Sequence, residues 1–226
     1  MSRTIAILGG TGALGTGLAL RLGANGYAVL VGSRDAKKAE NQAAVLGRRV
    51  ERGAFQGLSN EDAARRCDIA ILAVPYAHHE SMLRALSEPL AGKILIDTTV
   101  PLTPSSASTV SLPPGGSAAL QAQAILGSAV RVVSAFHNVA AARLARLDHA
   151  PDCDVLVFGD DRAARGEVAR LVEAMGMRAW HAGPLANSVV AESLTSSLVF
   201  INRFHKIDGA GIRITGERKL SKGHGG

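Results

Sequence analysis

Short, unbroken apolar runs rich in Val and Ile recur along the chain at Thr4–Leu8, Ala28–Val31, Ile69–Val74, Ile94–Ile96, Val130–Val133 and Val155–Phe158. Runs of this kind, with no polar residue at alternate positions, read as strands covered on both faces. Between them lie segments of helical character at Leu14–Gly23, Ala36–Leu46, Glu61–Cys67, His78–Leu86, Ala118–Leu126 and Arg162–Met175. Strand and helix alternate, which predicts an α/β fold built on a doubly wound parallel sheet. The alternation lapses at Pro101–Gly116, which holds prolines at 101, 104, 113 and 114. Because it follows a strand end, this loop is expected on the ligand side. Asn187–Phe204 reads as one long helix, with Val189, Val190, Leu194, Leu198, Val199 and Ile201 near helical spacing, packing on the sheet or on a second subunit. The chain is expected to comprise a larger part at 1–134, a smaller C-terminal part at 135–215 and a basic, glycine-ended tail at 216–226 that frays.

Composition narrows the class. Of 226 residues 47% are hydrophobic and 19% charged, which excludes a disordered chain. Five Phe, two Tyr and one Trp against 25 Gly require a core of Ala, Leu, Val and Ile with close backbone approaches. Cys67 and Cys153 form no C-x-x-C and the histidines do not cluster, so no metal site or disulfide framework is read and a reducing cytoplasm is expected. Glycines at 9, 10, 12, 15 and 17 break the early apolar stretch, unlike a secretory leader. No run approaches the roughly 20 residues that span a bilayer. The net charge of +6 asks for an anionic partner and by itself leaves nucleic acid, a membrane surface and phosphorylated small molecules open. Nucleic acid is disfavoured because no basic stripe is interleaved with aromatics.

The chemistry begins where Ile5–Leu8 runs into Gly9-Gly10-Thr11-Gly12-Ala13-Leu14-Gly15. Gly10, Gly12 and Gly15 fit G-x-G-x-x-G between a strand and a helix, the Rossmann-like dinucleotide fingerprint. In that motif the first glycine permits the turn, the second lets a pyrophosphate approach the helix N-terminus, and the third lets helix pack on strand. The second strand leads into Gly32-Ser33-Arg34 with Lys37 and Lys38 beyond, where an NAD-selecting chain carries an acid for the ribose 2′-hydroxyl. A hydroxyl, a guanidinium and an ammonium suit a 2′-phosphate instead, so NADP is implied. Charge-assisted bonds from Arg34 worth roughly 1.5–3 kcal/mol would favour NADP over NAD by about tenfold to a hundredfold.

Later strand ends should face the same crevice. They read Ala73-Val74-Pro75-Tyr76, Asp97-Thr98-Thr99-Val100-Pro101 and Ser134-Ala135-Phe136-His137-Asn138. His78, His79 and His137 stand at or near them as acid–base groups, cofactor contacts or solvated loop residues, and no catalytic pair emerges. Short-chain dehydrogenase chemistry is excluded because neither Tyr27 nor Tyr76 has Lys four residues on; Val31 and Glu80 stand there. Fewer than fifty residues follow Trp180, too few for the large helical domain of hydroxyacid and proline-forming reductases.

These blocks, with Asn60–Ala64, Cys67–Ile69, Gly159–Asp161, Ala182–Leu185, Glu192–Thr195, Val133–Val139 and the ending Gly211–Ile214, resemble the NADPH-dependent reductases of the deazaflavin coenzyme F420, over nearly the whole chain to Thr215. The resemblance implies an enzyme that moves a hydride reversibly between C4 of the nicotinamide and C5 of the deazaflavin, coenzymes that carry the reactive carbons themselves. It places Thr11, Gly12, Ala13, Leu14, Ser33, Arg34 and Lys38 on the NADP phosphates and ribose, and Ala73, Val74, Pro75 and His78 near its ribose and nicotinamide. Val100, Pro101, His137 and Val139 would line the deazaflavin pocket, and a homodimer is the family expectation. Ala140 stands where some members carry Pro. The alternatives are a reductase of another flavin-like or imine substrate and a non-catalytic NADPH-binding sensor. Seven basic against two acidic side chains fall in residues 1–50 and six against two in 201–226, so the positive charge gathers where the resemblance puts the two phosphate-bearing coenzymes, Arg203, Lys206 and Arg213 included.

Overall fold

The computed structural model describes residues 3–103 and 106–216; apart from Gly216, the expected tail lies outside the described residues. Among the described residues there are eight strands: β1 (Thr4–Leu8), β2 (Ala28–Ser33), β3 (Ala54–Ser59), β4 (Ile69–Leu72), β5 (Ile94–Asp97), β6 (Arg131–Ser134), β7 (Asp154–Gly159) and β8 (Arg178–Gly183). Eight α-helices accompany them: α1 (Ala13–Ala24), α2 (Ala36–Arg49), α3 (Asn60–Arg66), α4 (His79–Leu86), α5 (Ala118–Leu126), α6 (Ala141–Leu144), α7 (Arg162–Ala174) and α8 (Ser188–His205). The strands form one sheet in the order β3-β2-β1-β4-β5-β6-β7-β8. The chain winds outward from β1 to β3, then returns to β4 on the other side of β1, which makes the β1/β4 border the switch point where such sheets bind ligands.

Alternation across the sheet builds two apolar layers. Ile5, Ile7, Val29 and Val31 face one way, onto Leu18 and Leu22 of α1, Leu46 of α2 and Val168 and Val172 of α7. Ala6, Leu8, Leu30 and Leu72 face the other way, onto Ala63 of α3, Leu83 and Leu86 of α4 and Ala122 of α5. With helices on both sides, the inner strands must be apolar throughout, which is why they stand out in the sequence. The two edge strands do not. β3 is exposed or half-buried along its length, and β8 reads Arg-Ala-Trp-His-Ala-Gly with one buried position.

All neighbours run parallel except β6 and β7, which are antiparallel. The connection between them holds the four-residue α6 rather than a full crossover helix, so the chain turns back. Arg21, buried on α1, fixes that connection by donating to the main-chain carbonyls of Leu144 at 3.0 Å and His149 at 2.7 Å and to that of Arg146. β7 and β8 thus continue the same sheet, and α8 packs back against α5.

Candidate functional site

The turn after β1 is built by three glycines with separate tasks. Gly9 has φ +81°, and a Cβ there would stand 2.6 Å from the Ala73 carbonyl oxygen, so the turns after β1 and β4 touch at the switch point. A Cβ on Gly15 would stand 2.7 Å from Gly10 Cα, which is the close approach that lets α1 pack against the strand. Gly12 differs, because a Cβ there would meet no protein atom nearer than 3.5 Å. Nothing among the described residues demands glycine at 12, where a side chain would project into open space. Gly12 also caps α1 without a side-chain hydrogen bond, leaving the N–H groups of the first turn, Ala13 and Leu14 among them, to an incoming anion.

Beside this turn, β2 ends with Gly32 and Ser33 inside the strand, two residues later than the apolar run alone implied. Asp35 caps α2 by accepting from the Lys38 main-chain N–H at 3.1 Å, and Ser33 Oγ accepts from the Asp35 N–H at 3.2 Å. These bonds shape the turn that carries Arg34. Lys37 is spent on an ion pair with Glu40 at 3.1 Å, whereas Arg34 and the Lys38 ammonium have no acidic partner among the described residues. The two free cations border one cleft of about 420 Å³ together with Thr11, Gly12, Ser33, Ala73, Val74, Pro75 and His78. Nine of the thirteen residues predicted for NADP therefore share one cavity. Ala13 and Leu14 form the adjacent helix start, and Gly10 and Gly15 are buried beneath it. A second hollow of about 360 Å³ continues from it past His78 and Met82 to Ala85 and Leu86.

Asn60, unassigned by the motif, stands behind the turn. Its Oδ1 accepts from the Gly9 N–H at 3.0 Å, and Gly32 is glycine because a Cβ would come 2.8 Å from that oxygen. No local signal marks this contact, since 51 residues separate the partners.

The four residues expected at the second pocket lie on the next two strand exits. Asp97 of β5 is level with Ser134 of β6, so Val100 and His137, each three residues further on, leave the sheet side by side. Val100 is half-buried, while Pro101, His137 and Val139 are buried; none of the four lines the cleft beside Arg34. Phe136, buried and immediately before His137, holds φ +70°, a left-handed conformation that costs a bulky residue about 1–3 kcal/mol. Both His137 ring nitrogens are buried and make no well-aligned hydrogen bond among the described residues, although the Thr99 backbone lies close to the ring. Burial brings its pKa down to about 4 against the opposing pull of Asp97, so the ring is neutral at ordinary pH. α8 roofs this region, with Thr195 Oγ1 donating to the His137 carbonyl at 2.9 Å and Ser196 Oγ to that of Thr109 at 3.2 Å.

Two buried acids nearby are given no individual role by the sequence. Glu192 of α8 accepts from the Ala118 and Ala119 N–H groups at 2.7 and 3.2 Å, capping α5 from another helix. Burial raises its pKa to about 7, with Asp97 adding to the rise. Asp97 contacts His79 Nε2 at 2.7 Å, so His79 is a core residue and not a proton donor facing the cleft. Among the described residues, no three His, Cys, Asp or Glu side chains group as metal ligands.

Comparison with known proteins places this arrangement. A family profile described as coenzyme F420-dependent NADP oxidoreductase matches residues 4–101. The F420-dependent NADP reductase of Methanocaldococcus jannaschii is 42% identical over 219 residues, covering 93% of this chain and 97% of that protein. That of Methanothermobacter marburgensis is 38% identical, covering 93% and 97%. A solved Arthrobacter sp. FB24 structure provisionally assigned as an F420-dependent NADP reductase superposes with a TM-score of 0.81 at 26% identity, covering 95% of this chain and all of that one.

Proposed function

The chain belongs to the F420-dependent NADP reductases, and from that membership and the two adjoining strand-end sites we propose that it catalyses NADPH + F420 + H⁺ ⇌ NADP⁺ + reduced F420. The observation that carries this reading is the cleft in which unpaired Arg34 and Lys38 and the side-chain-free Gly12 meet one another beside the switch point. The open first turn of α1 would take the pyrophosphate and Arg34, Ser33 and Lys38 the 2′-phosphate. The apolar slot at Met82, Ala85 and Leu86 would take the adenine. Ala73–Pro75 and His78 form the wall for the nicotinamide ribose and ring.

For the deazaflavin, the support is a set of buried polar atoms at the β5 and β6 exits with no well-aligned hydrogen bond among the described residues: Ser134 Oγ, Thr99 Oγ1 beside the Asp97 carboxylate, and both ring nitrogens of His137 beside the Thr99 backbone. A polar heterocycle laid across these exits, against Val100, Pro101 and Val139, supplies aligned partners. When bound, the two coenzymes provide the hydride-donating and hydride-accepting carbons. The protein orients them and excludes water, work for which a neutral His137 suffices.

The division into a nucleotide-binding part at 1–134 and a smaller part at 135–215 that completes the cleft belongs to this reading. So does a homodimer, supported by Val190, Phe200, Phe204 and Ile207, which stand 58%, 52%, 69% and 47% exposed on and just after α8. Both cysteines are free thiols and no helix among the described residues is long and apolar enough to cross a membrane, which fits a cytoplasmic location. The test is spectrophotometric. Purified protein with NADPH should bleach the visible band of oxidised F420, whereas turnover of another acceptor with no change in the deazaflavin would overturn the reading.

A further inference from the structure

The Asp97 carboxylate is wholly buried at the end of β5, and its two oxygens grip different loops. Oδ2 lies 2.7 Å from Nε2 of His79, the first residue of α4, and Oδ1 accepts the Thr99 N–H at 2.9 Å. β4 and β5 are neighbours in register, Leu72 beside Asp97, and the Leu72 carbonyl accepts from both the Thr98 N–H and Thr98 Oγ1. The segment from Ala73 to His78 is thus fixed at its start by strand pairing and at its far end by His79. The segment from Thr98 to Pro101 starts from the same carboxylate. His79 is 1% exposed, its ring stacks on Tyr76 at 5.9 Å, and its Nδ1 has no partner among the described residues. Without Asp97 this imidazole would have no polar partner at all. His79 and Thr99 hold the carboxylate below its ordinary range against the upward push of burial, so it stays charged.

We propose that the Asp97–His79 pair is a positioning device that sets the distance between the Ala73–Pro75 wall and the Val100–Pro101 wall, and through it the distance over which hydride moves. This rests on the reading of those walls as the nicotinamide and deazaflavin sides. Neither residue lines the cleft beside Arg34; the pair ties the far end of the first loop to β5, beyond the hydrogen bonds by which Thr98 holds the Leu72 carbonyl at that loop's start. A placement error of 1 Å in such a system costs about a hundredfold in rate.

The test uses two variants of the full chain. Removing one partner alone strands a buried charge, so the disruptive variant is His79→Leu combined with Asp97→Asn. The conservative one is His79→Gln, which keeps a side-chain hydrogen-bond donor for the Asp97 carboxylate. The double variant is expected to lose roughly tenfold to a hundredfold in kcat while the KM for NADPH stays within about threefold. Its primary deuterium isotope effect from 4-deuterated NADPH should increase and become more temperature-dependent. His79→Gln should stay within about threefold of the parent on every measure. In the protein without coenzymes, amide hydrogen exchange should quicken together at 73–78 and 98–101 in the double variant. An unchanged isotope effect with activity tracking only the folded fraction would overturn the proposal, as would exchange that quickens in one loop alone. Should the parent protein pass hydride from NADPH to an acceptor other than F420, the second-substrate reading fails and this inference is decided with that acceptor. If no acceptor is found, the exchange measurement decides it.

Discussion

Asn60 holds the glycine turn from outside it, its Oδ1 accepting the Gly9 N–H at 3.0 Å from the first position of α3. The consequence is mechanical, because the turn that would cradle a pyrophosphate takes its shape from a side chain on the far side of β2. Asn60→Ala leaves a half-buried N–H unpaired and is expected to lower stability by about 1 kcal/mol. The KM for NADPH should rise severalfold with it. Denaturant unfolding and steady-state kinetics read the two effects separately.

Arg34 and the two lysines after it separate by partner. Arg34→Ala should raise the KM for NADPH by about tenfold to a hundredfold and leave that for NADH nearly unchanged. Lys38→Ala should act in the same direction but less, and Lys37→Ala should be silent because that ammonium serves Glu40 on the helix surface. Equal effects of Arg34→Ala on the two nucleotides would show that it does not meet the 2′-phosphate.

Glycines 12 and 15 should fail in different ways. Gly12→Ala meets open space at 3.5 Å, so the protein should melt like the parent yet lose NADPH affinity. Gly15→Ala drives a methyl into Gly10 at 2.7 Å and should lower stability by about 1–3 kcal/mol before any ligand is added. Thermal melts with and without NADPH separate the two.

Glu192 gives stability a pH dependence of known sign. Its pKa is raised by folding to about 7 from 4.5, so the folded state binds the extra proton between those values. The stability it contributes is complete below pH about 4.5 and is lost as pH rises through about 7. His137, lowered to about 4 from 6.5, works oppositely: its contribution is complete above pH about 6.5 and is lost as pH falls toward 4. Of these two groups only Glu192 still titrates between pH 6.5 and 8, and Glu192→Gln should flatten the decline in melting temperature there. A decline as steep as that of the parent would remove Glu192 as its source.

Why some of this was legible in the residues and some not is a matter of burial and distance. The inner strands announce themselves because helices cover both faces, and Ser33-Arg34 could be read because strand, turn and cap are contiguous. β3 and β8 escape the same reading because an edge strand can stay polar on exposed positions. Asn60 with Gly9, His79 with Asp97 and Glu192 with Ala118 escape it for another reason. Each joins residues that only the winding of the sheet brings together, and a lone Asn, Asp or Glu carries no periodic signal.

The central claim is direct hydride passage between coenzymes held at the β1/β4 and β5/β6 exits, and an isotope label tests it most directly. NADPH deuterated at the transferable C4 position should give reduced F420 with deuterium at C5, seen by mass spectrometry, and NADP⁺ without it. Deuterium released to solvent, or NADPH oxidised with F420 left unlabelled and unreduced, would contradict the account.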